Sequence, residues 1–228
     1  MQVSFSFLPE YWPYFRDGVI YTLMLSFFTV VLAVLPAILL ALMRLSKNKV
    51  LKFIASAYID IIRGTPMLVQ LYIVYYQLSF IQYPSGTIWG VDMERAIPCV
   101  IALSLNSAAY IAEVFRAGIQ AVDVGQMEAA RSCGMTSAQA MRFIILPQAI
   151  KNVLPALANE VVTMVKESSI CSTLGMAEIM YAAQTVSGTS YITLAPYVFA
   201  AIIYFCINYP ASKAIEAIER RMRRGDKQ

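Results

Sequence analysis

Two short polar stretches interrupt apolar parts of the chain, and their residue types suit the binding of small charged groups. The first is Gly64-Thr65-Pro66, and the second is Lys166-Glu167-Ser168-Ser169. Glycine and proline break a helix, while Thr65 and Pro66 suit the cap and first turn of a following half-helix. The free N–H groups from Thr65 to Leu68 would attract an anion such as a carboxylate. Glu167, an acid at or near membrane depth, would hold an ammonium group.

Each of these stretches also has a purely structural interpretation. The Gly64-Thr65-Pro66 interruption would then be a kink that only shapes packing, and Lys166 and Glu167 would be interfacial charges. Other polar side chains lie on apolar segments, where Asn106 could equally form an interhelical hydrogen bond. The candidate binding residues are Gly64, Thr65, Gln70, Asn106, Glu167 and Ser168.

A third polar stretch, residues 126–147, is rich in small and helix-forming residues. A short helix is expected to end at Gly134, which tolerates the left-handed conformation that closes many helices. A second helix is expected to begin near Thr136 or Ser137, because both are good N-caps. The small residues of the first helix would let another protein approach closely. The alternative is a helical hairpin that only connects two apolar segments.

The composition is that of a membrane protein. Of the 228 residues, 59% are hydrophobic and 14% are charged, whereas soluble domains average about 25% charged residues. The basic residues lie at the ends of apolar segments and not on one face, which argues against nucleic-acid binding. The sequence has no histidine and no GxxxxGK[ST] loop, which excludes histidine-based catalysis and Walker-type ATP binding by this chain.

The predicted fold is all-α and integral to the membrane, with a single transmembrane domain over residues 1–228. A helix needs about 20 apolar residues to cross the hydrocarbon layer. Five segments are long enough, and they are residues 18–43, 53–82, 96–118, 143–165 and 192–211. The polar loop 119–142 then lies between the third and fourth spans.

The distribution of basic residues orients these spans. Arg44, Lys47, Lys49 and Lys52 follow the first span, and a second basic group follows the last span. By the positive-inside rule both positions are cytoplasmic, which places the N-terminus outside and loop 119–142 in the cytoplasm.

The spacing within residues 126–147 is EAA-x3-G-x9-I-x-L-P, and it resembles the signature of the membrane subunits of bacterial ATP-binding-cassette (ABC) importers. The whole chain is similar to the polar amino acid permeases of the histidine, glutamine and arginine type. The matching motifs are Ile62–Pro66 (IRGTP), Ser107–Ile119 (SAAYIAEVFRAGI), the EAA loop and Val165–Ser169 (VKESS). One departure is Glu167, where that family usually has aspartate.

The resemblance implies a type I ABC importer permease in the bacterial cytoplasmic membrane, with a cytoplasmic coupling helix docked in an ATPase. Glu128 would face the ATPase and Gly134 would make the turn. The implied coupling residues are Glu128, Ala129, Ala130 and Gly134. The chain would bind no metal and no cofactor of its own, because the partner ATPases bind ATP and Mg. The implied partners are two ATPase subunits, a second identical or paralogous permease, an extracytoplasmic solute-binding protein and a polar amino acid.

Two other functions are alternatives to an ATP-driven importer. A secondary transporter driven by an ion gradient would need more spans, which a dimer could supply. An intramembrane enzyme is disfavoured because the sequence has neither a G-x-S-x-G motif nor a paired-aspartate motif.

Overall fold

The computed structural model describes residues 5–81, 86–88 and 90–224, and most of them are helical. The elements before the long central helix are α1 (Leu8–Leu45), α2 (Lys49–Gly64), α3 (Met67–Leu78), β1 (Thr87–Ile88) and β2 (Val91–Asp92). The central helix and the segment after it are α4 (Met93–Gln120), α5 (Val124–Ser132), α6 (Ser137–Ala140) and a π-helical turn (Met141–Ile145). The chain ends with α7 (Leu146–Glu167), a 3₁₀ helix (Ser168–Leu174), α8 (Ile179–Ser190) and α9 (Ala195–Arg224). The all-α class is confirmed.

Within the described ranges, three helices are long and apolar enough to cross a membrane. They are Leu8–Leu45, Met93–Gln120 and Ala195–Met222. These helices match the predicted first, third and fifth spans. The count of five spans stays a prediction, because it also requires α2–α3 and α7 to cross.

The second predicted span, residues 53–82, is broken where the sequence indicated. Helix α2 ends at Gly64 and α3 begins at Met67. The backbone of Thr65 and Pro66 is extended between them, as expected for a residue that precedes proline. The predicted end of this span at Gln82 lies outside the described residues.

Close packing of small residues joins α1 to α4. Ala33, Ala37 and Ala41 recur every fourth residue on α1 and pack in one cluster with Ala108 and Ala112 of α4. All five are at most 3% exposed. Small side chains let two helix backbones approach closely in a membrane, where dispersion replaces the hydrophobic effect as the main attraction. Helix α4 is therefore held firmly against α1.

Residues 166–191, which connect the predicted fourth and fifth spans, are folded and partly buried. It contains the 3₁₀ helix and α8, which packs against α1 and α9. Gly18 permits this contact, because a Cβ atom there would lie 3.1 Å from the backbone of Glu178. The buried Glu178 carboxylate accepts hydrogen bonds from the backbone N–H of Tyr181 (2.7 Å) and from the hydroxyl of Tyr204 (2.7 Å). This connection between two predicted spans is therefore part of the helical core.

Candidate functional site

The capping hydrogen bond at the break between α2 and α3 differs from the one predicted from the sequence. Thr65 was expected to cap α3, but its hydroxyl donates to the carbonyl of Ile61 in the preceding turn (2.8 Å). The N-cap of α3 is Pro66, which has no side-chain capping bond. Among the described residues, the N–H groups of Met67 and Leu68 therefore have no acceptor. Gly64 and Thr65 are both exposed beside these free donors.

The side chain of Gln70 bridges the break by hydrogen bonds. Its side-chain amide donates to the carbonyls of Ile62 (2.7 Å) and Thr65 (3.1 Å) and to the Thr65 hydroxyl (2.8 Å). Its carbonyl oxygen accepts a 2.9 Å hydrogen bond from the Asn106 side chain of α4. Gln70 and Asn106 are both buried. The two candidate residues are therefore used to hold the break against α4.

On another side of α4, the residue after Asn106 contacts an acid that was missing from the candidate set. The Ser107 hydroxyl donates to Glu160 of α7 (3.1 Å), and Glu160 is partly exposed. The broken helix and Glu160 thus meet α4 at two adjacent residues, 106 and 107. The signal in the sequence was the acid itself, since Glu160 falls inside a predicted span.

The exposed polar side chains of α7 form a stripe along one face. Asn152, Asn159, Thr163 and Glu167 are spaced at helical intervals and are exposed or partly exposed. Glu160 lies two turns before Glu167 on the same helix. Helix α7 therefore presents two carboxylates along a polar surface.

The structure separates Ser168 from this surface. Ser168 is fully buried, and its hydroxyl donates to the carbonyl of Val165 (2.9 Å). The role of Ser168 in binding stays a prediction for a buried side chain, whereas Glu167 next to it is exposed.

Arg63 is a further charged residue beside the break. Its guanidinium lies over the ring of Tyr110 on α4, with 5.3 Å between Cζ and the ring centroid. This arrangement is a cation–π contact between α2 and α4. Tyr110 is 39% exposed, so the pair borders the accessible surface next to the Gly64 break.

The polar segment after α4 has the two-helix form expected from the sequence. Gly134 has a φ of +85° and follows α5. The N–H of Gly134 donates to the carbonyl of Arg131, and the N–H of Met135 donates to that of Ala130, each at 3.1 Å. This pair of bonds is a Schellman motif. Thr136 then caps α6 in a reciprocal capping box with Gln139.

Helix α6 does not end before the next predicted span. It continues through the π-helical turn into α7 without an intervening loop. The continuous helical segment from α6 to α7 (residues 137–167) forms a rod, and α5 packs against its start. Met127 of α5 and Val122 just before α5 pack there with Ile145 and Ala149. Glu128 and Ala129 face outward from α5, whereas Ala130 is buried.

A cluster of three charged side chains joins the end of α4 that precedes α5 to the end of α1. Glu113 of α4 accepts hydrogen bonds from Arg44, at the end of α1, and from Arg116 (2.8 Å). The three side chains are 16–30% exposed. Because both guanidinium groups meet one carboxylate, the end of α4 that leads to α5 is fixed to the end of α1.

A family model described as the binding-protein-dependent transport system inner membrane component matches residues 30–224. The chain belongs to this family. It is therefore a membrane permease subunit of a transport system, and not an enzyme.

Two relatives match along nearly the whole chain. A putative glutamine transport system permease protein of Rickettsia felis is 40% identical over 221 residues, which is 96% of this chain and 98% of that protein. The arginine transport system permease protein of Bacillus subtilis is 34% identical over 226 residues, covering 99% of this chain and 100% of that protein.

Solved structures confirm the fold of this permease. A crystal structure of an amino acid ABC transporter with histidines has a TM-score of 0.87 and 46% identity, covering 97% of this chain and 100% of that chain. An inward-facing methionine ABC transporter is 19% identical with a TM-score of 0.68, which supports the fold alone. The predicted ABC importer permease fold is confirmed.

Gln70→Leu should lower the stability of the permease by about 1–3 kcal/mol, because the Ile62 carbonyl and the Asn106 amide lose a buried partner. Gln77→Leu is the control, since Gln77 is exposed on the same helix and should change stability by less than about 0.5 kcal/mol. Thermal unfolding of the purified complexes measures both. Equal midpoints for the two variants would show that the Gln70 bonds do not hold the break.

Proposed function

We propose that this permease is part of an ATP-driven importer that moves a polar amino acid across the cytoplasmic membrane by alternating access. The observation that carries the proposal is the placement of Glu160 and the α2–α3 break at adjacent residues of α4. Free N–H donors on one side and a carboxylate on the other match the two charges of an amino acid.

The remaining components follow from the coupling segment and the family. Two ATPase subunits bind ATP and Mg and dock at the α5 segment, while this chain holds no cofactor or metal. A second permease, identical or paralogous, completes the pathway, and an external solute-binding protein delivers the substrate. The exposed Glu128 and Ala129 favour this ATP-driven assembly over an ion-gradient transporter, which needs no such docking helix.

The α-carboxylate of the substrate is assigned to the break. The N–H groups of Met67 and Leu68 lack an acceptor within the described residues, and a helix N-terminus favours negative charge. The Arg63 guanidinium lies at the preceding turn and can add a charge-assisted hydrogen bond to a carboxylate.

The α-ammonium is assigned to Glu160. The bonds through Asn106 and Ser107 bring Glu160 to the level of the break along α4, whereas the sequence alone favours Glu167 for this role. Both charges of an amino acid are borne by one carbon atom, so their partners must lie close together. The adjacent anchors of the break and of Glu160 on α4 support this assignment.

Glu167 is then available to the substrate side chain. Seven residues of helix separate it from Glu160, a rise of about 10.5 Å. Two carboxylates along one polar face attract a molecule with two cationic groups. The charge pattern therefore favours a basic amino acid over a neutral one.

The proposed orientation places the N-terminus outside and α5 in the cytoplasm. Cys133 at the end of α5 is exposed, Cys99 and Cys171 are buried, and Cys206 lies within the apolar α9. A membrane-impermeant maleimide should therefore label Cys133 in inside-out vesicles but not in intact cells. Thr87→Cys, placed in a Cys133→Ser background, should label in intact cells. The reverse pattern would reverse the orientation.

Glu160→Gln should weaken the uptake of both arginine and glutamine, because every amino acid has an α-ammonium group. Glu167→Gln should weaken the uptake of arginine more than that of glutamine. Loss of a charge-assisted contact costs about 1.5–3 kcal/mol, or roughly a ten- to hundredfold change in apparent affinity. Concentration-dependent uptake into proteoliposomes that contain the complete transporter measures these effects.

Glu10→Gln, an exposed acid in the first turn of α1, is the control and should transport like the wild type. If Glu160→Gln is silent while Glu167→Gln weakens both substrates equally, Glu167 is the ammonium partner. If neither variant alters uptake, the proposed binding site is wrong.

Gly134→Val should uncouple uptake from ATP hydrolysis. A Cβ at Gly134 meets no atom within 4 Å, so the strain arises only from the positive φ and amounts to about 1–2 kcal/mol. The expected result is weaker co-purification with the ATPase, together with less hydrolysis stimulated by the loaded binding protein. Glu128→Lys should have the same outcome by reversing the charge on the exposed face of α5.

Gly188→Val is the matched control for the glycine, because that position is equally open but has helical backbone geometry. Glu10→Lys is the control for the charge reversal. All four variants should reach the membrane at normal levels. Normal stimulated hydrolysis in both α5 variants would mean that the segment is only a connecting hairpin.

A further inference from the structure

An apolar groove of about 430 Å³ lies between α1, α4 and the β-hairpin. Its walls include Phe28 and Leu32 of α1 and Ile97 and Val100 of α4. Among the described lining residues, Tyr21 alone has a polar side chain, and its hydroxyl already donates to the carbonyl of Gly90 (3.1 Å). An occupant of this groove must therefore be a hydrocarbon.

The groove faces away from the polar site. Ile97 in its wall and Asn106 in the polar cluster are nine residues apart, which is two and a half turns of α4. The two side chains therefore project from opposite faces of the helix. On α1 the groove continues into exposed apolar side chains such as Phe27 and Val31. This continuity places it on the surface that meets lipid.

The length of the groove matches one leaflet of the membrane. Along α1 it runs from Tyr21 to Leu32, eleven residues or about 16 Å of helix. Half of a hydrocarbon core is about 15 Å thick. Arg16 and Asp17 lie one turn before Tyr21 and are ion-paired, which sets the polar boundary of the membrane near the mouth of the groove.

We propose that this groove binds one acyl chain of a phospholipid from the leaflet that contains the N-terminal half of α1. Each methylene group that leaves a less well-packed environment for the groove gains dispersion contacts with its walls. Met24, Met93 and Met176 line the groove, and their flexible side chains can adapt to the chain. The bound lipid fills the groove between α1 and α4 on the surface that meets the membrane.

Native mass spectrometry tests this proposal on the complete transporter, released from nanodiscs of phosphatidylethanolamine and phosphatidylglycerol. The wild-type complex should retain a phospholipid on each permease chain. Val100→Trp, which fills the groove, should reduce that occupancy at least tenfold. Leu35→Trp adds the same side chain to the open surface of α1, where the native residue is 66% exposed, and should retain the lipid. Equal occupancy in both variants would overturn the proposal.

A photo-crosslinking residue, benzoylphenylalanine, at Ile97 provides a second measurement that does not fill the groove. After irradiation in the same nanodiscs, the expected product is a permease chain with the added mass of one phospholipid. A crosslink between two permease chains would show that side chains of the second subunit occupy the groove, and would overturn the proposal. This measurement also decides the question if Val100→Trp fails to assemble.

Discussion

A bilayer interior offers no hydrogen-bond partners, so every backbone group freed by a broken helix must be satisfied by protein or by a polar cavity. In the predicted second span, this constraint governs the α2–α3 break. Gln70 satisfies the carbonyls of Ile62 and Thr65, and Asn106 anchors Gln70 to α4. The remaining free groups are N–H donors next to exposed backbone. The polarity of the proposed site is therefore a direct consequence of how the break is repaired.

Helix α4 connects the parts of the permease because its faces carry different contacts. Alanines on one face pack against α1, while Asn106 and Ser107 hold the broken helix and α7. Ile97 contributes to the apolar groove on the face opposite Asn106. A rotation or tilt of α4 would change all of these contacts together. Such shared contacts are the physical basis for coupling distant sites through a rigid element.

Movement at α5 can reach the proposed site through two helices. Helix α5 follows α4 directly, and Glu113 near that junction is held by Arg44 and Arg116. On its other side α5 packs against the rod that runs from α6 into α7. That rod contains Glu160 and Glu167. A displacement of α5 by an ATPase would therefore act on both walls of the polar site.

The sequence by itself determined the local features of this permease. A glycine and a proline in an apolar run are enough to break a helix, and Gly134 between small-residue helices is enough to predict a left-handed turn, because both effects depend on neighbouring residues alone. The long apolar runs of α1, α4 and α9 predicted spans for the same reason. Only the tertiary structure decided which polar side chains are available. Ser168 is buried, and the Gln70 side chain is already hydrogen-bonded at the break. Glu160 accepts a hydrogen bond from Ser107, which is 53 residues away in the sequence. Whether a polar side chain is free to bind a substrate depends on which helices pack together, and the residues around it in the sequence do not determine that packing.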